Sequence, residues 1–414
     1  MIRPFPARLC PGAGPGGDWC RAFGLAGESP PVPEMPRTPK LPRPLLSPAR
    51  KRGQVRIQLG GQATMASDEA RRDALRLVRQ FTAEFAFAGL PLNKVTLKLL
   101  SGGRSEARIF KLTPFFGGRT TAAPVIVKLT PPGEGTTEKA NYDAYARWGL
   151  PADCRPELLG TASSRGAEAL CYSFAAGETL TTHLKRGDTA ALDLTLRALF
   201  DPMRDTWFSP KLLRRERDIA QHYRTRYFTG PDWLAQTETA LQASAAHFFE
   251  ARQHDGRTLI GRHSFPSPRA VLFDARRARP YRSCILHGDL NTDNIVIASP
   301  GRAAMIDFLK TGRGHVYRDL VSLEASIRIN YPRNAAAGAL ESERRIALGR
   351  RLSPDDSYAA AIQKIRAAAR GYFGRVENSA TYHFAVAAIA LRLIDRKSTR
   401  LNSSHTDISR MPSS

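Results

Sequence analysis

Acids are scarce in this chain. Its 414 residues hold 38 Asp and Glu against 62 Lys and Arg, a formal net charge of +24. Cysteine is scarcer: Cys10, Cys20, Cys154, Cys171 and Cys284 are scattered, odd in number and form no CxxC pair. That excludes a disulfide framework and a zinc ribbon, and a reducing, cytoplasmic setting fits best. No run of about 18 uncharged apolar residues occurs, so neither a membrane-spanning helix nor a membrane partner is expected. Internal repeats are missing as well. What is there, 42% apolar and 24% charged residues, suits two domains or one two-lobed domain. It excludes wholesale disorder, collagen and a pure coiled coil.

The positive charge is unevenly placed. Residues 1–64 carry a net +7 and residues 396–414 a net +3, which leaves +14 on residues 65–395. The arginines of that body are spread over many expected helices with no aromatic-interleaved stripe, which argues against a nucleic-acid partner. A positive cleft for a polyanion such as a nucleotide fits better. Twelve of the 29 prolines fall in residues 1–50, where Pro30-Pro31-Val32-Pro33 and similar stretches hold neither helix nor ladder. Residues 1–64 are therefore expected to be disordered. They lack the apolar segment of a secretory signal, and Met65 is a plausible true start ahead of a helix-compatible segment. At the other end, Arg396–His405 has no apolar period and resembles translated adaptor sequence. Residues 396–414 are expected to be a non-native tail, with the closing helix cut short near Asp395.

Periodicity gives the elements between these ends. A helix is expected over 67–88, with Ala74, Leu77, Val78, Phe81 and Phe85 on one face. Strands follow at 95–100, 107–112, 125–129 and 169–174, with a helix from Glu138 to Trp148. From 179 the pattern turns helical, over 188–204, 211–227 and 232–254, and a Pro/Arg-rich loop covers about 256–282. Strands at 295–297 and 304–306 flank a turn at Pro300-Gly301, and helices return at 317–330, 355–372 and 379–394. The organisation is α+β: a small β-rich front and a larger helical back, with a cleft between them as the natural ligand site.

One segment carries chemistry. The strand Cys284-Ile285-Leu286 runs into His287-Gly288-Asp289-Leu290-Asn291-Thr292-Asp293-Asn294, and Ile306-Asp307-Phe308 closes the next strand. A carboxylate, an amide five residues on and a second carboxylate 18 residues after the first form the set that phosphoryl transfer needs. One oxygen accepts or orients the attacking hydroxyl, and the others hold Mg²⁺ against phosphates. A hairpin between Asn294 and Asp307 would return those two residues to one place. Asn291 and Asp293 read as turn residues, and His287 as a buried imidazole bracing the loop.

This segment resembles the catalytic and metal loops of the aminoglycoside/choline phosphotransferase family. That family writes them His-Gly-Asp-x-x-x-x-Asn and Ile-Asp, and has the two-lobed protein-kinase-like fold. The resemblance implies a small β-rich N-lobe over 65–176 and a helical C-lobe over 177–395. It implies Asp289 as catalytic base, Asn294 and Asp307 as metal ligands, and ATP and Mg²⁺ as cofactors. Gly102, Gly103 and Ser105 would form the nucleotide loop, though an ordinary hairpin turn reads about as well from the residues alone. Lys128 would contact the α- and β-phosphates, a solvent-facing lysine being the plain alternative. Glu138 would be its ion-pair partner, with Glu134 as rival. The stretch 170–174, with Cys171 and Phe174, would be the hinge whose backbone reads adenine. Asp319, in Asp319-Leu320, would cap a helix and brace the catalytic loop.

Thr311-Gly312-Arg313-Gly314-His315 resembles a bacterial branch in which kinase-like domains accompany NTPase or signalling modules. Arg313 and His315 there read as a surface loop, or as groups facing substrate or phosphate. The C-terminal helices carry few acids (Asp355, Asp356, Glu377, Asp395), which argues against a polycationic aminoglycoside acceptor. The reading is an ATP- and Mg²⁺-dependent phosphotransferase acting on a hydroxyl of a small molecule. The alternative is a kinase-like nucleotide-binding module that works with a protein partner.

Overall fold

Alternation of apolar and polar residues in β-branched strands sets the architecture of the first half of the chain. The computed structural model describes residues 56–60, 76–77, 92–100, 107–116, 120–121, 123–228, 252–254, 257–260, 263–266, 279–331 and 356–405. Positions 239, 342, 343, 345, 346 and 350 are also described. Strands β1 (Arg56–Gly60), β2 (Leu92–Leu100), β3 (Arg108–Phe116), β4 (Thr120–Thr121) and β5 (Val125–Thr130) precede helix α1 (Glu134–Asn141). A π-helical turn, Tyr142–Ala146, continues α1 into Arg147–Gly149. Strands β6 (Leu158–Ser163) and β7 (Glu168–Ser173) complete a seven-stranded sheet of order β1-β2-β3-β5-β7-β6, with β4 on β3. Every pairing is antiparallel except β1 with β2. Pro114, which has no N–H to donate, sits where β3 has only β2 beside it.

Strand β1 corrects the expectation of disorder up to residue 64. Ile57 and Leu59 alternate with polar neighbours, the period-2 pattern of a strand. The expected helix at 67–88 is described only at Arg76–Leu77, which is helical.

The sheet has two differently used faces. Val95, Leu97, Phe110, Leu112, Val125, Val127, Leu129, Ala169 and Cys171 form a small core that includes Leu77. Leu170 and Tyr172, from the opposite face, belong to a larger core that runs on through the helical part. Strand period 2 puts Ile126, Lys128 and Thr130 on that second face.

The helical part begins with β8 (Glu178–Thr179), α2 (Leu180–Lys185) and α3 (Ala190–Phe200). The helix expected over 211–227 is instead a short strand, β9 (Arg214–Glu216), and a later helix, α4 (Ile219–Tyr227). The Asp218 side chain accepts from Ala220 N and sets the start of α4. Most of 232–254 lies outside the described residues, and its end is a strand, β10 (Arg252–His254). With β11 (Arg257–Ile260) and β12 (His263–Pro266) it makes a small antiparallel sheet where a loop was expected. Then come β13 (Tyr281–Leu286), β14 (Ile295–Ser299), β15 (Arg302–Met305) and β16 (Gly312–His315), followed by α5 (Arg318–Asn330), α6 (Ser357–Phe373) and α7 (Ser379–His405). Helix α7 runs ten residues past Asp395. Among the described residues no helix is long and apolar enough to cross a membrane.

Candidate active site

The loop His287–Asn294 is built on β13, whose Cys284, Ile285 and Leu286 are buried. At its exit the chain turns sharply. Gly288 has φ +82°, and a Cβ there would lie 2.1 Å from Lys310 O, so only glycine fits. The turn is held from below by Asp319, 2% exposed on the first turn of α5. Its two carboxylate oxygens accept from His287 N and Gly288 N, both at 2.8 Å. Arg318 donates to Gly288 O and, at 3.0 Å, to Tyr227 Oη. The buried His287 ring donates from Nε2 to Ile306 O at 2.9 Å, tying the loop to the strand before Asp307. The expected bracing roles of Asp319 and His287 thus have matching geometry.

Asp289 follows with its side chain exposed. Its carbonyl accepts from Asn291 Nδ2 at 3.2 Å and from Asn294 Nδ2 at 2.9 Å. Asn291 Oδ1 accepts from Asp293 N and Asn294 N, which is turn chemistry. The buried Thr292 pins the loop to the helices: its hydroxyl meets Thr181 at 2.6 Å, Ser326 at 2.8 Å and Asn330 at 3.1 Å. The β14–β15 hairpin then brings the chain back, with Ile306 N donating to Asn294 O at 3.0 Å. Asp307 therefore lies beside Asn294. It has φ +69°, the only positive φ on a non-glycine among the described residues, a left-handed conformation that Asp and Asn tolerate best.

The sheet supplies the other half. Lys128, 6% exposed on β5, is not solvent-facing. Its Nζ lies 2.7 Å from Glu138 Oε2 and 2.8 Å from Asp307 Oδ1. Glu138 is fully buried and also accepts from Tyr172 Oη at 2.9 Å. The rival Glu134 opens α1 and is not the partner. Burial opposes the Lys128 ammonium, yet the two carboxylates outweigh it and hold its pKa above the ordinary lysine value. Burial raises the Glu138 carboxyl against the pull of Lys128. Asp307, despite its own desolvation, is held below the usual carboxylate range by Lys128. It keeps 32% of its side chain open. Asn141 Nδ2 donates to Leu309 O at 2.8 Å, and Tyr142 packs edge-on against Phe308 with ring centroids 5.4 Å apart. These contacts fix α1 to the Asp307 turn.

The donor set fits a hard cation. Asn294 spends its amide N–H₂ on Asp289 O, which leaves its oxygen for another partner, and Asp307 adds a carboxylate oxygen. Among the described residues no group of three or more His, Cys, Asp or Glu stands ready for a metal. Two protein oxygens completed by phosphates and water is how Mg²⁺ is commonly held.

Other expected positions fare differently. Gly102, Gly103 and Ser105 lie outside the described residues. Cys171 is corrected: its side chain is in the small core, and its backbone is inside the ladder between β5 and β6. The connection between β7 and β8 begins at Phe174, whose ring lies 4.2 Å below Lys111 Nζ. His315 is corrected as well. It is fully buried between Tyr223 Oη at 3.1 Å and Thr381 Oγ1 at 3.3 Å, so it faces neither solvent nor substrate. Arg313 donates to Leu212 O and to Ser283. Reading the residues alone missed Tyr172, Arg318, Asn141 and Thr292. None of them left a signal of its own in the sequence; it is the strand register, Tyr172 opposite Ile126, that puts Tyr172 on the same side of the sheet as Lys128.

Residues 213–381 match the model of the family described as Ternary complex associated domain 9. Among curated proteins no sequence matches this chain. An aminoglycoside phosphotransferase from Streptomyces rimosus is similar at 15% identity, over 78% of this chain and 98% of that one, with a TM-score of 0.41. An aminoglycoside 3'-phosphotransferase of type VIII shows 16% identity over 71% and 98%, with a TM-score of 0.37. The Streptomyces protein solved with ADP and streptomycin shows 16% identity over 71% and 97%, with a TM-score of 0.35.

Proposed function

We propose that this chain is an ATP- and Mg²⁺-dependent phosphotransferase of two-lobed, protein-kinase-like build that acts on a hydroxyl of a small molecule. The observation that carries the reading is the bridge from Lys128 to both Glu138 and Asp307. It joins a sheet lysine to a carboxylate 179 residues away. The hairpin backbone brings the residue bearing that carboxylate next to Asn294, on the loop that presents Asp289. Lys128 is placed to meet phosphate oxygens, with Glu138 and Tyr172 fixing its direction. Asn294 and Asp307 would hold the metal, which would supply charge neutralisation to the phosphates. Asp289 orients the acceptor hydroxyl and takes its proton as that oxygen bonds to the γ-phosphorus and the bond to the ADP oxygen breaks. Rigid placement by Asp319, Thr292 and His287 supplies the positioning on which such transfer depends.

The test is ADP release with Mg²⁺-ATP across hydroxyl compounds and protein substrates. Asp289→Asn is expected to lower turnover by about 10³-fold, in the range of general-base loss, with nucleotide binding kept. Substantial residual turnover in that variant would remove the assigned role. A second reading, a nucleotide-binding module working with a protein partner, is favoured by the match to a family described as associated with a ternary complex. It predicts nucleotide binding with no ADP release on any small hydroxyl compound, and release or tight complex formation only with the partner.

A further inference from the structure

Helix α1 carries Glu138, yet it begins without a capping side chain of its own. Its Ncap is Gly133, at φ +88°. The cap comes from the sheet instead. Glu168, at the start of β7, accepts from Thr136 N at 2.8 Å on one carboxylate oxygen and from Thr136 Oγ1 at 2.7 Å on the other. Burial opposes its charge, yet hydrogen bonds from Thr136 and from the Gly133 and Gly135 amides hold its pKa below the usual carboxylate range. It therefore meets the positive end of α1 as an anion. Gly135 lets the helix lie this close, since a Cβ there would stand 2.8 Å from Glu168 Cβ.

The strand that supplies this cap also grips Glu138. Glu168, Leu170 and Tyr172 alternate to one side of β7, opposite Thr130, Lys128 and Ile126 of β5. Tyr172 Oη donates to Glu138 Oε1 at 2.9 Å, and Glu168 holds α1 two residues earlier. The far end of α1 is tied to the Asp307 turn by Asn141. We propose that Glu168 is a positioning residue of the candidate active site: it fixes the first turn of α1 and so sets Glu138 against Lys128. This deepens the phosphotransferase reading and rests on it for the use made of Lys128. Its hydrogen-bond partners in α1 lie in the first turn, so Glu168 acts through Glu138. Without the cap, the first turn loses two hydrogen bonds and the Glu138 carboxylate loses its fixed place beside the ammonium.

The experiment is lysine acylation of the full chain by N-hydroxysuccinimidyl acetate, followed at Lys128 by mass spectrometry. Alkylation of Cys284 by N-ethylmaleimide runs in parallel. Lys128 is 6% exposed between two carboxylates and Cys284 is fully buried, so both should react slowly in the parent chain. In Glu168→Ala, labelling of Lys128 is expected to speed up at least about fivefold, as for loss of a helix N-cap, with Cys284 unchanged. Glu168→Gln, which keeps one acceptor oxygen, should fall between. Unchanged labelling of Lys128, or an equal rise at Cys284 that marks a general loosening, would overturn the proposal. Where Glu168→Ala loses its circular dichroism, Gly135→Ala, which favours the helix but crowds Glu168, gives the same reading. Mg²⁺-ATP affinity, measured by calorimetry on the same samples, should fall with the rise at Lys128. A parent chain that binds no Mg²⁺-ATP while Lys128 still responds to Glu168 would end the phosphotransferase reading and leave the positioning role.

Discussion

Asp319 shows how much one side chain does here. Its two oxygens satisfy two adjacent buried backbone N–H groups. Asp319→Ala would leave both unpaired at a cost of about 1–3 kcal/mol each, so unfolding by denaturant should show a loss of roughly 3 kcal/mol. A loss below about 0.5 kcal/mol, the range of ordinary surface changes, would show that the loop holds without it. The residues visible in the sequence were those with an unusual spacing: Asp289, Asn294 and Asp307 within 18 positions of the first. Arg318 and Thr292 were not visible, because a buried arginine and a threonine look like any others until the chain brings Gly288, Tyr227, Thr181 and Ser326 to them.

At the scale of elements, the helices behind the site are joined through Glu324. It is fully buried on α5 and accepts from Arg328 of its own helix at 2.8 Å. It also accepts from Arg366 of α6 at 2.9 and 3.1 Å, and from Tyr382 of α7. Glu324→Gln removes the charge from between two guanidiniums and is expected to destabilise by about 3 kcal/mol or more. Asp143→Asn, in an exposed i,i+4 pair with Lys139 and Arg147, is the contrast and should cost under about 1 kcal/mol. Chemical denaturation of both variants against the parent chain checks the difference. The strands and the long helices were legible because periods of 2 and 3.6 repeat several times within each. Strand β9 was not: Arg214-Arg215-Glu216 has no apolar period, and it is a strand only because Tyr281–Ser283 offers it a ladder. The same holds for His315, where Gly312–His315 becomes a strand against β13 and carries the imidazole inward.

The whole molecule carries a built-in acid sensitivity. His222 and His315 are both held neutral: burial leads in each, aided at His222 by Arg318 and Arg226 and at His315 by His222 and Arg318. In the unfolded chain histidine takes its proton near pH 6.5. Between there and about 4 the unfolded chain binds more protons, so stability is full above pH 6.5 and declines as the pH falls through that window. At 1.36 kcal/mol per unit, His222 alone contributes about 3 kcal/mol of this slope. His222→Phe, which gives up a ring nitrogen that has no hydrogen-bond partner, should flatten the fall in denaturation midpoint between pH 7 and pH 4.5. An unchanged slope would place the sensitivity elsewhere. There is also a consequence in the reach of Lys128 toward Asp307. Under the proposed function, a divalent ion held at that carboxylate would draw it away from the ammonium and leave Lys128 for a phosphate, and binding of ion and nucleotide would then reinforce each other by the same factor.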